Sequence, residues 1–139
     1  MIVYLDTSAA LKLVVKEPES AALAAHLEGV LGEGDRLVAS LLLHTELHCA
    51  ANRRPEQIGH GAVAEVLSTV ALVDLERSDL ATAPSLAGRL RSADAVHLAT
   101  ALRVNATALV TYDGELCAAA RAAGIEVRSP TGADSGTAS

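Results

Sequence analysis

Aromatic side chains are nearly missing from this chain. It has no tryptophan and no phenylalanine, and its two tyrosines are Tyr4 and Tyr112. Single-strand nucleic-acid surfaces of the OB or RRM kind stack bases on several rings, so the shortage argues against that class. Basic residues are also scarce. Eleven Lys and Arg face seventeen Asp and Glu, for a formal net charge of −6. A general polyanion binder is ordinarily basic. Any contact with nucleic acid must use a local basic patch, or metal ions that offset an acidic site. Cys49 and Cys117 share no C-x-x-C spacing and sit in apolar helical patterns. They are expected as buried free thiols, which suits a reducing cytoplasm. No apolar stretch is long enough to span a bilayer. Asp6 interrupts the N-terminal apolar run too early for a signal peptide. A cytoplasmic protein with no membrane segment is the expectation.

What is present is an aliphatic chain, 50% hydrophobic over 139 residues, enough for one domain with a single core of Ala, Val and Leu. Met1 to Leu5 reads as a strand buried on both faces. Asp6 follows it, and Thr7 or Ser8 can cap a helix over 9–15. Lys16 to Ser20 breaks that helix, and the next runs from Glu19 to about Gly29. Arg36 to Ala39 is a short strand, and Ser40 caps a helix over 41–51. Glu56 to Ser68 is a weaker helix carrying Gly59 and Gly61. Val70 to Leu75 is a strand, and 78–90 is helical with a break at Pro84. Ser92 caps a helix over 93–104. Thr107 to Thr111 is a buried strand, 115–123 a helix closed by Gly124, and 125–127 a last strand. Strands and helices alternate, which predicts an α/β fold with a central, mostly parallel sheet and helices on both faces. Residues 1–128 form the domain, and the Gly/Ser/Thr-rich stretch 129–139 reads as a disordered tail.

Four acids stand alone on or beside apolar elements. Asp6 and Asp113 follow strands, and such positions converge at one edge of a parallel sheet, where ligands bind. Asp94 lies in the first turn of an apolar helix, where the helix dipole favours its ionised form. Glu46 is the carboxylate within another apolar helix, where an acid is rarely buried without a partner. Caps for Asp6 and Asp94, a turn for Asp113 and an ion pair of Glu46 with Arg53 or Arg54 would be structural explanations. One carboxylate cage for Mg²⁺ or Mn²⁺ replaces all four, because hard oxygen ligands suit those ions. His44 and His48 stand i, i+4 on one helix, but in His-Thr-Glu-Leu-His the glutamate does not directly follow the first His as the zinc-protease pattern needs, and both read as partly exposed. His97 reads as packed beside Asp94 and not as a ligand.

Tyr4 to Leu13, His44-Thr45-Glu46-Leu47, Ser92 to Ala101 and Val110-Thr111-Tyr112-Asp113, in that order, resemble the PIN-domain family, and more narrowly VapC-type toxins of bacterial toxin–antitoxin pairs. The resemblance covers about residues 1–128. It implies a Mg²⁺-dependent endoribonuclease, with Mn²⁺ able to substitute, that inhibits translation and growth. It maps the family's acidic quartet onto Asp6, Glu46, Asp94 and Asp113, with Thr7, Ser8 and Thr111 as neighbouring hydroxyls. Asp6 and Asp94 would be direct metal ligands. Asp113 would bind a second ion or hold a metal-bound water, and Glu46 would orient water. A VapB-like antitoxin is the implied partner, laying a helix and a basic segment along the helices at 9–15 and 20–27. A homodimer is implied too. Arg53, Arg54, Arg77, Arg89 and Arg91 are the candidate contacts to the RNA backbone.

Two other readings compete. A receiver-like phosphoryl-transfer domain has similar length and strand-end acids, but wants paired acids after the first strand and a lysine after the fifth. A non-catalytic acidic interaction module is the other.

Overall fold

The structure, a computed structural model, describes residues 1–132. Five parallel strands form one sheet in the order β3-β2-β1-β4-β5. They are β1 (Ile2–Leu5), β2 (Arg36–Ser40), β3 (Ala71–Val73), β4 (Ala108–Val110) and β5 (Glu126–Arg128). The helices are α1 (Thr7–Val14), α2 (Ser20–Gly32), α3 (Leu42–Arg53), α4 (His60–Ser68), α5 (Arg77–Thr82), α6 (Ser92–Arg103) and α7 (Gly114–Ala122). The helices α1 to α4 pack on one another, and α5 packs on α6, which packs on α7. Right-handed crossovers place these two groups on opposite faces.

Chain direction through the sheet reverses at its centre. From β1 the strands step outward through β2 to β3, and the chain then returns to β4 on the other side of β1. Loops therefore diverge above the carboxyl ends of β1 and β4, which is where open α/β sheets bind ligands. A receiver-like fold has the order 2-1-3-4-5, so this topology retires that alternative.

The aliphatic composition suits the packing. Ala9 and Ala10 of α1 are fully buried, as are Val3, Tyr4 and Leu5 of β1 and Ala108 to Val110 of β4. Small side chains let helix and sheet approach closely without voids. Gly124 adopts φ +87° just past α7, the left-handed position that ends helices at least steric cost.

Several local expectations change. Neither Thr7 nor Ser8 caps α1; Asp6 does, accepting the Ala9 N–H at 3.0 Å. Ser40 stays in β2 and accepts the Leu42 N–H, while Arg91, not Ser92, is the cap position of α6. The helix expected from Glu56 starts at His60, since Pro55 and Gly59 favour turns. Beyond Pro84 the helix does not resume: a 3₁₀ turn, Ala83–Ser85, ends it. Cys49 is exposed and Cys117 half-buried, both as free thiols. The buried face of α3 is Leu43, Leu47, Ala50 and Ala51, which turns Cys49 outward. Of the expected tail, Ser129 donates to the Thr111 carbonyl and the Pro130 carbonyl accepts from the Tyr112 hydroxyl. Residues 133–139 lie outside the described residues. Among the described residues no helix is long and apolar enough to cross a membrane.

Candidate active site

Asp6 is the first residue beyond β1, and its N–H continues the ladder to the Val110 carbonyl. The register pairs Leu5 with Val110, so Asp6 and Thr111 meet side by side. Thr111 donates to Asp6 Oδ2 at 2.8 Å, and Ser8 donates to Oδ1 at 2.9 Å. With Ala9 N–H this makes a closed polar nest, and Asp6 is 1% exposed. Burial pushes its carboxyl above the usual range, and the Ala9, Thr111 and Ser8 donors only partly oppose that. The Thr111 hydroxyl also accepts the Asp113 N–H. Asp113 then caps α7 by accepting the Leu116 N–H. One hydroxyl thus ties together the two strand-end acids.

Asp94 enters from the first turn of α6. Burial raises its pKa, the Asp113 charge raises it further, and Arg91 opposes both. Arg91 Nε lies 3.6 Å from Asp94 Oδ2, and its Nη2 lies 3.6 Å from Asp113 Oδ2. A cation therefore already stands between two acids from different elements.

Glu46 projects from α3. Its partner is neither Arg53 nor Arg54 but His97 of α6, whose Nε2 is 2.6 Å from Glu46 Oε1. Thr7 donates to the same oxygen at 2.6 Å. Burial raises the Glu46 pKa, but the His97 and Thr7 bonds outweigh it and hold the group below the usual carboxylate range. His97 is fully buried near Asp94 and, beyond that expected place, is bonded to Glu46 and meets Tyr4. The spacing Asp94–His97 puts both on one helix face, but the sequence contains no sign of Tyr4 or Glu46 as partners.

A cleft of about 430 Å³ opens over these groups, lined among others by Thr7, Ser8, Glu46, Arg53, Arg91, Asp94 and Asp113. Asp6 sits behind Ser8 and does not line it. Arg54 lines an adjoining pocket with Tyr112 and Asp113. Arg77 at the start of α5 and Arg89 are exposed, and neither lines the cleft. Lys12, Leu13, Val14, Lys16, Ser20, Ala21 and Ala24 line a shallow depression between α1 and α2.

The donors at the cleft are hard carboxylate and hydroxyl oxygens, the set that Mg²⁺ and Mn²⁺ take. The Arg91 guanidinium between Asp94 and Asp113 marks where positive charge is favoured. Among the described residues no three of His, Cys, Asp and Glu are grouped tightly enough to close around an ion as they stand. An ion there would need Arg91 to swing out and Ser8 to turn from Asp6. Arg91, with its side chain 84% exposed, is free to do so. The set fits a divalent cation in kind and in charge.

Comparison with known proteins agrees with the architecture. The PIN domain family model matches residues 3–122. Ribonuclease VapC35 of Mycobacterium tuberculosis is 40% identical over 136 residues, covering 93% of this chain and 97% of that protein. Ribonuclease VapC47 of the same species is 32% identical over 132 residues, with 93% and 97% covered. The crystal structure of VapBC2 from Rickettsia felis bound to a DNA fragment from their promoter superposes with a TM-score of 0.75. It shares 18% identity and covers 92% of this chain and 98% of that one. A match of this extent, on a sheet whose central crevice gathers the motif acids, places the chain in the PIN-domain family, in its VapC group.

Proposed function

We propose that this chain is a Mg²⁺-dependent endoribonuclease, the toxin of a toxin–antitoxin pair, that cuts RNA in the cytoplasm to stop translation and growth. The carrying observation is the convergence of Asp6, Glu46, Asp94 and Asp113 from four separate elements on the crevice above β1 and β4. Family membership supports it, since curated relatives of high coverage are named ribonucleases. A purely structural role for the acids is disfavoured by Asp94, whose pKa burial and the neighbouring Asp113 both push up.

Asp6, Asp94 and Asp113 would hold the ion, with Mn²⁺ able to replace Mg²⁺. When bound, it supplies Lewis-acid charge at the scissile phosphate and acidifies a water. Glu46, ionised by its bonds to His97 and Thr7, orients the attacking water in line with the leaving oxygen. Thr111 and Ser8 hold the Asp6 carboxylate, and Ser8 can turn to a phosphate oxygen. Arg53 and Arg91 at the rim face the RNA backbone. The depression between α1 and α2, apolar at Leu13, Val14, Ala21 and Ala24 and flanked by Lys12 and Lys16, would seat a VapB-like antitoxin helix, followed by a basic segment reaching Asp94 and Asp113. The VapBC2 complex is a structural neighbour. A homodimer completes the proposed assembly.

The test is incubation of purified protein with a random-sequence RNA pool, in Mg²⁺ and in EDTA. Cleavage in Mg²⁺ that EDTA and Asp94→Asn both abolish is expected. Wild-type-like cleavage by Asp94→Asn would overturn the assignment, and the interaction-module alternative would stand if the wild type cuts nothing.

A further inference from the structure

We propose that His97 is a positioning residue, locked by Tyr4 as its Nε2–H tautomer, that fixes the Glu46 carboxylate at the wall of the cleft. For its effect on cleavage it rests on the nuclease reading above; the tautomer and the hydrogen bonds do not.

The lock follows from counting protons along one buried chain of contacts. The Ser40 N–H donates to Tyr4 Oη at 3.0 Å. That oxygen still has its own proton to place, and His97 Nδ1 is 2.7 Å away. A buried hydroxyl proton without an acceptor is costly, so Tyr4 donates and Nδ1 accepts. A neutral imidazole has one donor and one acceptor nitrogen, so its proton is then on Nε2. Nε2–H points at Glu46 Oε1, 2.6 Å away. The opposite tautomer would aim the Nε2 lone pair at a carboxylate; the Thr7 hydroxyl, 3.1 Å from Nε2, has already given its proton to Glu46 Oε1 at 2.6 Å, and the tyrosine proton would be stranded. A doubly protonated ring would strand it too. Tyr4 is itself held as the phenol, since burial pushes its pKa far above the ordinary value.

The far end of the chain serves the cleft. Glu46 Oε1 takes both His97 and Thr7. Among the described residues Oε2 takes no hydrogen bond, while Glu46 lines the cleft. Two donors on one oxygen fix the rotamer and leave the other oxygen to the solvent side. Because the His97 side chain is 1% exposed, it cannot touch RNA, and its influence must pass through Glu46. The bond also ties α3 to α6, so Glu46 and Asp94 keep a fixed relation.

Two side chains separate the roles of the two ring nitrogens. In His97→Gln the amide nitrogen falls near Nε2 and can still donate to Glu46. In His97→Asn the amide oxygen falls near Nδ1 and can still accept from Tyr4, but Glu46 loses its donor. With an RNA oligonucleotide selected from the cleaved pool, His97→Asn should lower kcat about 10- to 100-fold at unchanged KM, as loss of an outer positioning partner does. His97→Gln should stay within a few-fold of wild type. Equal losses in both, or a change in KM alone, would overturn the proposal. Long-range ¹H–¹⁵N correlation on the labelled wild-type protein should show the His97 proton on Nε2; a proton on Nδ1 would overturn it. A carboxyl-detected titration should find Glu46 shifted upward in His97→Asn and not in His97→Gln. No upward shift in His97→Asn would also overturn it. If the wild type cleaves no RNA, the nuclease reading falls, and the tautomer and titration still decide this one.

Discussion

Thr111 and Asp6 are 105 residues apart in sequence, yet the Thr111 hydroxyl donates to Asp6 Oδ2 at 2.8 Å, buried behind the cleft. Thr111 Oγ1 in turn accepts the Asp113 N–H, so the contact joins the ends of β1 and β4. Thr111→Val keeps the shape and removes both bonds. It should cost about 1–3 kcal/mol in a denaturant melt, because it leaves the Asp113 N–H without its acceptor and Asp6 Oδ2 with only the longer Ser8 bond. It should also reduce RNA cleavage. Thr111→Ser should restore most of both; a Val variant as stable and active as wild type would show the hydroxyl to be idle.

Asp6 has two jobs that different substitutions separate. As the cap of α1 it needs one acceptor for Ala9 N–H, which Asn also provides. Asp6→Asn should therefore melt close to the wild type, while Asp6→Ala should lose about 1–2 kcal/mol. Both should abolish Mg²⁺-supported cleavage. Cleavage surviving in Asp6→Asn would reduce Asp6 to a cap.

Asp94 accepts no capping bond, so it reports charge repulsion more cleanly than Asp6. Its folded pKa is raised, by burial and then by Asp113. A raised carboxyl contributes stability that is present below the unfolded pKa and lost as pH rises through the folded one. At neutral pH without metal, Asp94→Asn should melt at the wild-type temperature or up to about 5 °C above it. That advantage should shrink as the pH is lowered. Added Mg²⁺ should raise the wild-type melting temperature more than the variant's. A variant that melts lower in EDTA, or gains as much from Mg²⁺, would contradict this.

Asp79 is a buried acid with a different purpose. Arg103 grips it with Nε at 2.8 Å and Nη2 at 3.0 Å, and its carboxylate accepts the Glu76 N–H. Burial raises its pKa, but Arg103 and the backbone bond outweigh that and lower it overall. A lowered carboxyl contributes stability above its unfolded pKa and loses it as pH falls through the folded one. Asp79→Asn should cost about 1.5–3 kcal/mol at neutral pH. The gap should close in acid, with cleavage per folded molecule unchanged. A gap that persists in acid would mean packing, not charge, is at stake.

Among the five arginines named from the sequence, Arg53 and Arg91 line the cleft while Arg77 and Arg89 do not. Arg53→Glu or Arg91→Glu should weaken RNA binding and flatten its salt dependence by about one phosphate contact each. The same reversal at Arg77 or Arg89 should change neither. Filter binding over a salt series separates the two pairs, and an unchanged slope for Arg91→Glu would remove it from the interface.

The alternation of aliphatic strands with helices, and lone acids in four apolar settings, were legible from the order of residues. Apolar runs and their periodicity are local properties, and a hydrophobic run ending at Asp6 or near Asp113 marks a strand end wherever the strand goes. The parallel sheet followed for the same reason, since helical crossovers require it. Other features depend on through-space pairing. No local pattern reveals that Glu46 would meet His97 and not Arg53, because the two helices carrying them are brought together only when the sheet forms. Tyr4, a plain core residue by its run, acquires a chemical role from the ring facing it across 93 positions. The turn at Asp6 has three plausible cap residues in a row, and only the backbone geometry chose the first. Cys49 reads as core in an apolar run, yet the sheet decides which face of α3 is inside. Sequence by itself determined which residues could do the chemistry; the strand order, by turning back at β1, decided which of them share a cleft.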